Sequence, residues 1–318
     1  MPFLDLPPLI LSLFLAPFGL ILGSFCNVLI HRLPQEAEEE RDVVKKPSHC
    51  PSCKTRIKPW HNLPLVGWLW LRGRCAACGW RIPFRYPLVE LLGGVILAGA
   101  HWVLPFGTLI WFKGVICAFA LLVLFFTDLT EFILPDVLQF PLMALGLLFT
   151  VPDLLGWHGT TQILTGPVDI LGADLWHNGL QPAPSWTLWG ASVDWKSSLI
   201  GLVAGYGAPW LLANGYVLLN NAVFTRLFDK DRIEESMGMG DFKMLAWIGA
   251  FWGWDTMLGV FGLATLVMGG FAIVLMLLRR AKGATLLPFG CPLALAVPVA
   301  VFFGRAIWQA YLGMSQMG

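Results

Sequence analysis

Charge is scarce in this chain. Lys, Arg, Asp and Glu make up 13% of its 318 residues, about half of the ~25% that soluble domains carry. With 57% hydrophobic residues and a mean hydropathy of +0.69, that shortage excludes an ordinary water-soluble domain and implies a membrane protein. The N-terminus, Met1 to Pro8, has neither a basic n-region nor a small-residue cleavage site. The first apolar run is therefore expected to be a retained transmembrane helix and not a signal peptide. No internal repeat links the two halves. The net charge of +1 excludes little, because the distribution of charge carries the information.

What is plentiful is apolar length. A spanning helix needs about 20 mostly apolar residues, and eight runs qualify: 9–30, 86–104, 109–127, 137–152, 198–219, 242–257, 259–278 and 289–311. The fourth and sixth are short. Eighteen of the 21 Lys and Arg fall in three segments, Arg32–Arg85, Arg226–Lys243 and Arg279–Lys282. With eight helices all three lie on one face, which the positive-inside rule makes cytoplasmic. The expected fold is thus an all-α polytopic membrane protein. Its expected order is helix 1 (1–31), a small cytoplasmic domain (32–85), helices 2–4 (86–152), an outer-face loop (153–197) and helices 5–8 (198–318). The 16 Trp and 22 Phe suit many bilayer interfaces.

Seven cysteines are present, and four form two C-x2-C pairs, Cys50/Cys53 and Cys75/Cys78. Such pairs on tight turns present four thiolates to one tetrahedral ion, so a structural Zn2+ site is expected. Disulfides and redox pairs are the alternatives, the first disfavoured by a reducing cytosol. His49 and His61 are nearby but superfluous as ligands. Cys26, Cys117 and Cys291 sit singly in apolar runs and read as small buried hydrophobes.

Acids at membrane boundaries are candidate functional groups, because lipid penalises a carboxylate far more than water does. Asp241 follows Gly238-Met239-Gly240 at the start of an apolar run, and Asp128 closes the third run. The topology places both at the cytoplasmic membrane edge. Two carboxylates at one depth can divide the roles of base and acid. A helix N-terminus favours the anion of Asp241, and a helix C-terminus disfavours that of Asp128. Capping is the simpler alternative for Asp241 and especially for Asp136, which follows Pro135 before an apolar run. Glu131 reads as solvated. Asn27 within the first run needs a hydrogen-bond partner. Arg32 marks the border of that run, and Glu90 reads as the partner of an Arg in the small domain.

These features together resemble the bifunctional prepilin peptidases, the leader peptidase/N-methyltransferases of type IV pilus and type II secretion systems. The resemblance covers most of the chain. It rests on Gly23-Ser-Phe-Cys-Asn27-Val28 with Arg32-Leu-Pro34, and on the double CxxC with Asn62-Leu-Pro-Leu-Val-Gly-Trp68 and Arg72-Gly73-Arg74 between the pairs. Arg85-Tyr86-Pro87-Leu-Val-Glu90, Asp128 with Leu134-Pro135-Asp136, Gly238-Met-Gly-Asp241-Phe-Lys243 and Pro288-Phe-Gly290 complete it. The segment 153–196 is longer than the family pattern.

The resemblance implies a GxGD-type aspartyl protease of the inner membrane with Asp128 and Asp241 as the catalytic pair, supported by Gly238 and Gly240. It implies type IV prepilins and pseudopilins as substrates, cut after the Gly that precedes an apolar helix. It implies methylation of the new N-terminal amine, usually of Phe, from S-adenosylmethionine. The lipid bilayer is the other expected partner, and no nucleic acid is expected. The resemblance ties methylation to the zinc domain and to Gly73, for which an ordinary turn glycine is the alternative. No glycine-rich Rossmann fingerprint is present. Glu36 to Glu40 offer acids that could draw a cationic leader. Two further readings stay open: a transporter or scaffold with a structural zinc domain, whose acids relay protons or bind cations, and a peptidase without methyltransferase activity.

Overall fold

The computed structural model describes residues 7–35, 41–43, 47–104, 106–155, 194–224, 237–278 and 287–315. Their regular structure is helical: α1 (Pro8–Arg32), α2 (Val66–Trp70), α3 (Arg85–Val103), α4 (Leu109–Glu131), α5 (Asp136–Leu148), α6 (Val151–Leu154), α7 (Trp195–Leu219), α8 (Met239–Leu277) and α9 (Gly290–Ser315). A 3₁₀ turn, Pro59–Asn62, precedes α2, and a π-helical turn, Asn220–Phe224, follows α7. The polytopic all-α fold expected from hydropathy is the observed one.

The count of eight spans is not confirmed. Among the described residues five helices (α1, α3, α4, α7 and α8) are long and apolar enough to cross a bilayer, and Asp136–Leu148 (α5) and Gly290–Gly304 at the start of α9 are shorter apolar stretches. Three spans make up the difference: α5 and the α9 stretch fall short of spanning length, and α8 joins two expected runs in one helix. The 39 residues of α8 would extend about 58 Å if straight, twice the ~30 Å hydrocarbon core. It is interrupted at Gly253, where φ is 84° and ψ 164°. Glycine takes this backbone without the strain a Cβ would bring. The break falls several residues before the boundary read from hydropathy, because Trp252 and Trp254 keep the run apolar across it. Asp255 stands just beyond, its Oδ1 accepting from the Thr256 N–H at 2.8 Å.

The chain forms two compact units, Met1–Glu131 and Phe132–Gly318. In the first, α1 lies along α3, and α4 packs on both. A Cβ added at Gly19 would stand 2.5 Å from the Gly93 carbonyl, so the α1 and α3 backbones touch. The Ser12 hydroxyl fastens one end of this pair, donating to the Ala98 carbonyl at 3.0 Å and accepting from Trp102 Nε1 at 2.8 Å. At the other end, Asn27 Nδ2 donates to the Tyr86 carbonyl at 2.9 Å, the partner that its place in an apolar run required. Cys26 and Cys117 are buried as expected.

In the second unit α8 is central, packed against α7, α9 and α5. Trp247, Phe251, Met244, Leu245 and Ile248 are fully buried on it. The α7–α8 crossing depends on Gly201 and Gly249. A Cβ at Gly201 would meet the Gly249 carbonyl at 2.4 Å, and one at Gly249 would meet the Gly201 carbonyl at 2.2 Å. Small residues allow this approach in a membrane, where helix association depends on close packing. Outward faces stay apolar: Leu212, Leu218 and Leu266 are each about two-thirds exposed or more, as a lipid-facing surface requires.

The outer-face loop proposed for 153–197 lies largely outside the described residues, as do Glu36 to Glu40 and most bases of the second and third charged segments. Its borders are described. Residues Val151–Leu154 form α6, and α7 begins at Trp195 because Asp194 caps it, accepting from the Ser197 N–H at 2.7 Å.

Candidate functional site: a four-thiol cluster and two buried aspartates

The two CxxC pairs sit on two turns of the same kind. The Cys50 N–H donates to the Thr55 carbonyl, the Lys54 N–H donates back to the Cys50 carbonyl, and His49 bridges Arg56. The Cys75 N–H donates to the Trp80 carbonyl, the Gly79 N–H to the Cys75 carbonyl, and Arg74 bridges Arg81. Lys54 and Gly79 occupy equivalent places, both at positive φ (56° and 72°). Each turn thus folds its two sulfurs to one side.

The four sulfurs lie within 4.8 Å of one another, with Cys50 Sγ 3.9 Å from Cys78 Sγ. A tetrahedral ion with metal–sulfur bonds of about 2.3 Å sets its ligands about 3.8 Å apart, so the donor set fits a metal. A disulfide needs about 2.05 Å, and all seven cysteines are free. The thiols are prepared unequally. The Thr55 hydroxyl and backbone draw Cys53 down to about 6. Backbone N–H groups of Cys78 and Ala77 lower Cys75. At Cys78 the Trp80 N–H lowers the pKa, but loss of water and the neighbouring cysteines push it up to about 11. Thiolates crowded this closely cannot all ionise without a cation between them.

Between the pairs, Gly73 has φ 67°, and a Cβ there would meet Trp68 Cζ2 at 3.0 Å. The Trp68 ring seals the turn: its Nε1 donates to the Ile82 carbonyl at 3.3 Å, and the Ile82 N–H donates to the Gly73 carbonyl at 2.8 Å. Gly73 therefore has a structural reason to be glycine.

Two assignments are corrected here. Glu90 pairs with no Arg in the described structure. Its Oε2 accepts from the Leu65 N–H at 2.8 Å, in a turn where Leu65 holds the strained φ of 60°. Arg32 does more than mark a border. It is buried, and its guanidinium donates to the carbonyls of Asp42 and Pro47, drawing the small domain back onto the end of α1.

Asp128 is buried in the last turn of α4, in the first compact unit. Asp241 is buried in the first turn of α8, in the second. Gly238 is the residue before α8, and its missing side chain leaves room beside Asp241, whose Oδ2 lies 3.4 Å from where a Cβ would stand. Gly240 lets α8 close on the chain before α5: a Cβ there would lie 2.9 Å from Leu134 Cβ.

Asp136 starts α5 but makes no side-chain cap. Its carboxylate is held instead by Lys243 Nζ, at 2.6 and 2.8 Å. Sequence reasoning missed this pair. The only signal was a lysine two residues beyond Asp241 with no assigned partner. Glu131 is exposed, as expected.

Two protein families match consecutive stretches of the chain. The bacterial peptidase A24 N-terminal domain matches residues 18–104, and the type IV leader peptidase family matches 115–274. Curated relatives agree across nearly the full length. The prepilin leader peptidase/N-methyltransferase of Aeromonas salmonicida (strain A449) is 34% identical, over 93% of this chain and 91% of the relative. That of Pseudomonas aeruginosa is 33% identical over 98% of each, and that of Neisseria gonorrhoeae is 30% identical over 93% and 91%. No solved structure matches the chain significantly. A polytopic helical protein with a four-thiol cluster and two buried helix-end aspartates is the class that the fold defines. The chain belongs to the type IV leader peptidase family.

Proposed function

We propose that this protein removes the short basic leader from type IV prepilins and pseudopilins and then N-methylates the new terminal residue with S-adenosylmethionine. The observation that carries the reading is the pair of family matches, one over the thiol-bearing unit and one over the helices that hold Asp241, together with full-length relatives bearing both activities in their names. A transporter or scaffold is not favoured. A peptidase without methyltransferase activity is disfavoured by the intact four-cysteine cluster.

Asp128 and Asp241 are the proposed catalytic pair. The ionised member takes a proton from water, whose oxygen attacks the scissile carbonyl carbon. The protonated member donates to the carbonyl oxygen, and the tetrahedral species collapses by releasing the amine, which takes up a proton. Asp241 suits the base, because the N-terminus of α8 favours its anion. Asp128 suits the acid, because the C-terminus of α4 disfavours its anion. The scissile bond lies where a basic leader meets an apolar helix, so the reaction belongs at the cytoplasmic edge of the inner membrane. Helical peptide bonds are protected, so the substrate must unwind locally.

In methylation the lone pair of the freed amine attacks the donor's methyl carbon. The carbon–sulfur electrons pass to sulfur, which leaves as a neutral thioether, and the nitrogen sheds a proton. An α-amine has a pKa near 8, so a modest local shift supplies the neutral nucleophile. Cys50, Cys53, Cys75 and Cys78 would hold Zn2+ with all four positions filled, a structural role with no open site for substrate.

The test is incubation of the purified protein with a prepilin, with and without S-adenosylmethionine. Mass spectrometry should report leader loss in both cases and the gain of one methyl group only with the donor. No leader loss on any prepilin of the source genome would overturn the reading.

A further inference from the structure

The first compact unit encloses a cavity of about 390 Å³ between the end of α1, the two cysteine turns and the start of α3. That volume falls within the roughly 300–1,000 Å³ of small-molecule sites.

Its lining has the chemistry of a zwitterion site. Asn27 lines it and is only 4% exposed. The Asn27 Nδ2 is committed to the Tyr86 carbonyl, and its Oδ1 is buried with no hydrogen-bond partner. The amide cannot be flipped to remove this, because the Tyr86 carbonyl only accepts. A buried acceptor left unmet costs about 1–3 kcal/mol, so the position asks for a donor from a ligand. Glu90 adds a second acceptor from α3. Arg56 and Lys58, which follow the first cysteine turn, supply positive charge, and Trp68 and Tyr86 supply aromatic surface. Arg56 and Lys58 suit a ligand's carboxylate, and Glu90 suits its positive charge.

We propose that this cavity is the methyl-donor site, with Asn27 Oδ1 and Glu90 receiving hydrogen-bond donors of S-adenosylmethionine and the Arg56–Lys58 side receiving its carboxylate. This rests on the methyltransferase half of the proposed function and adds a location that the absence of a glycine-rich fingerprint left open. The site also couples donor binding to the metal. Cys50 and Cys75 line the same cavity, so the ion holds two of its walls.

The experiment uses the full-length, zinc-loaded protein in detergent. Equilibrium dialysis measures binding of radiolabelled S-adenosylmethionine to wild type, to Asn27→Leu and to Arg56→Glu, and zinc content reports the integrity of each preparation. Wild type should bind one donor per chain, and each variant should bind at least about tenfold more weakly, the cost of one lost polar contact. Arg56 is exposed, so its variant keeps the test sound if Asn27→Leu loses zinc. Wild-type binding with undiminished binding by a zinc-loaded Arg56→Glu and a zinc-loaded Asn27→Leu would place the donor elsewhere and overturn the site while leaving methyltransferase activity standing. A wild type that removes leaders but neither binds the donor nor methylates would overturn the site together with the methyltransferase reading.

Discussion

Lys243 Nζ lies 2.6 and 2.8 Å from the two carboxylate oxygens of Asp136, and the same ammonium stands over the Phe140 ring, 5.3 Å from its centre. The pair joins the first turn of α5 to the start of the second turn of α8, two residues beyond Asp241. Asp136 is half exposed, so the contribution to stability is small, at most about 1 kcal/mol. Its consequence is positional. With Leu134 pressed against Gly240 on one side and Asp136 gripping Lys243 on the other, the start of α8 has little freedom.

Lys243→Met should therefore lower the turnover of leader removal by about three- to tenfold, the scale of a displaced catalytic group, with little change in KM or melting temperature. Asp136→Asn should do the same, and the double variant should be no worse than either single one, since both break one contact. Additive losses would show that the two residues act separately.

The close approach of α7 and α8 leaves no room for a methyl group. Gly249→Ala would place carbon 2.2 Å from the Gly201 carbonyl, and backbone on both sides would have to move. Overpacking of this kind costs about 1–3 kcal/mol, so the melting temperature in detergent should fall by several degrees. Gly262→Ala, on the same helix with open space around its Cβ position, should leave it unchanged. Equal effects would remove the packing explanation.

Much of this fold follows from hydropathy and from what lipid forbids. The first four apolar runs give α1, α3, α4 and α5 to within a few residues, because each ends where Pro, charge or a polar cluster makes lipid burial costly. The same reasoning singles out Asp128 and Asp241. It fails at Gly253, since the run stays apolar through Trp252 and Trp254, and only the Gly followed by Asp255-Thr256 hints at a new helix start. It fails again at Asp136, because a sequence-adjacent cap is easier to imagine than a lysine on another helix. The cysteine cluster is legible because four donors at this spacing have few other uses. The cavity beside it is not, since its walls come from three separate stretches of chain that only folding brings together.

Zinc removal should separate the two activities. The purified protein should carry one ion per chain by elemental mass spectrometry, and Cys75→Ser should lose most of it. Binding energy at such a site is folding energy for the turns around it. Methylation of a leader-free peptide should fall by at least about tenfold in Cys75→Ser, and leader removal should fall less, because neither aspartate belongs to the cysteine turns. A metal-free variant that methylates at the wild-type rate would remove the link between cluster and methyl transfer.

The aspartates make the sharpest case. Asp128→Asn and Asp241→Asn keep the size of each side chain and remove its ability to exchange a proton. If the two share one hydrolytic step, each substitution alone should lower leader removal by at least about 10³-fold, the scale of lost acid–base catalysis. Both variants should still insert, carry zinc and methylate a peptide supplied without its leader. The wild-type rate should rise and then fall with pH, since one carboxyl must be ionised and the other protonated. A variant of either residue that retains wild-type leader removal would break the pair, and the base would then have to be sought among the remaining acids, beginning with Asp136.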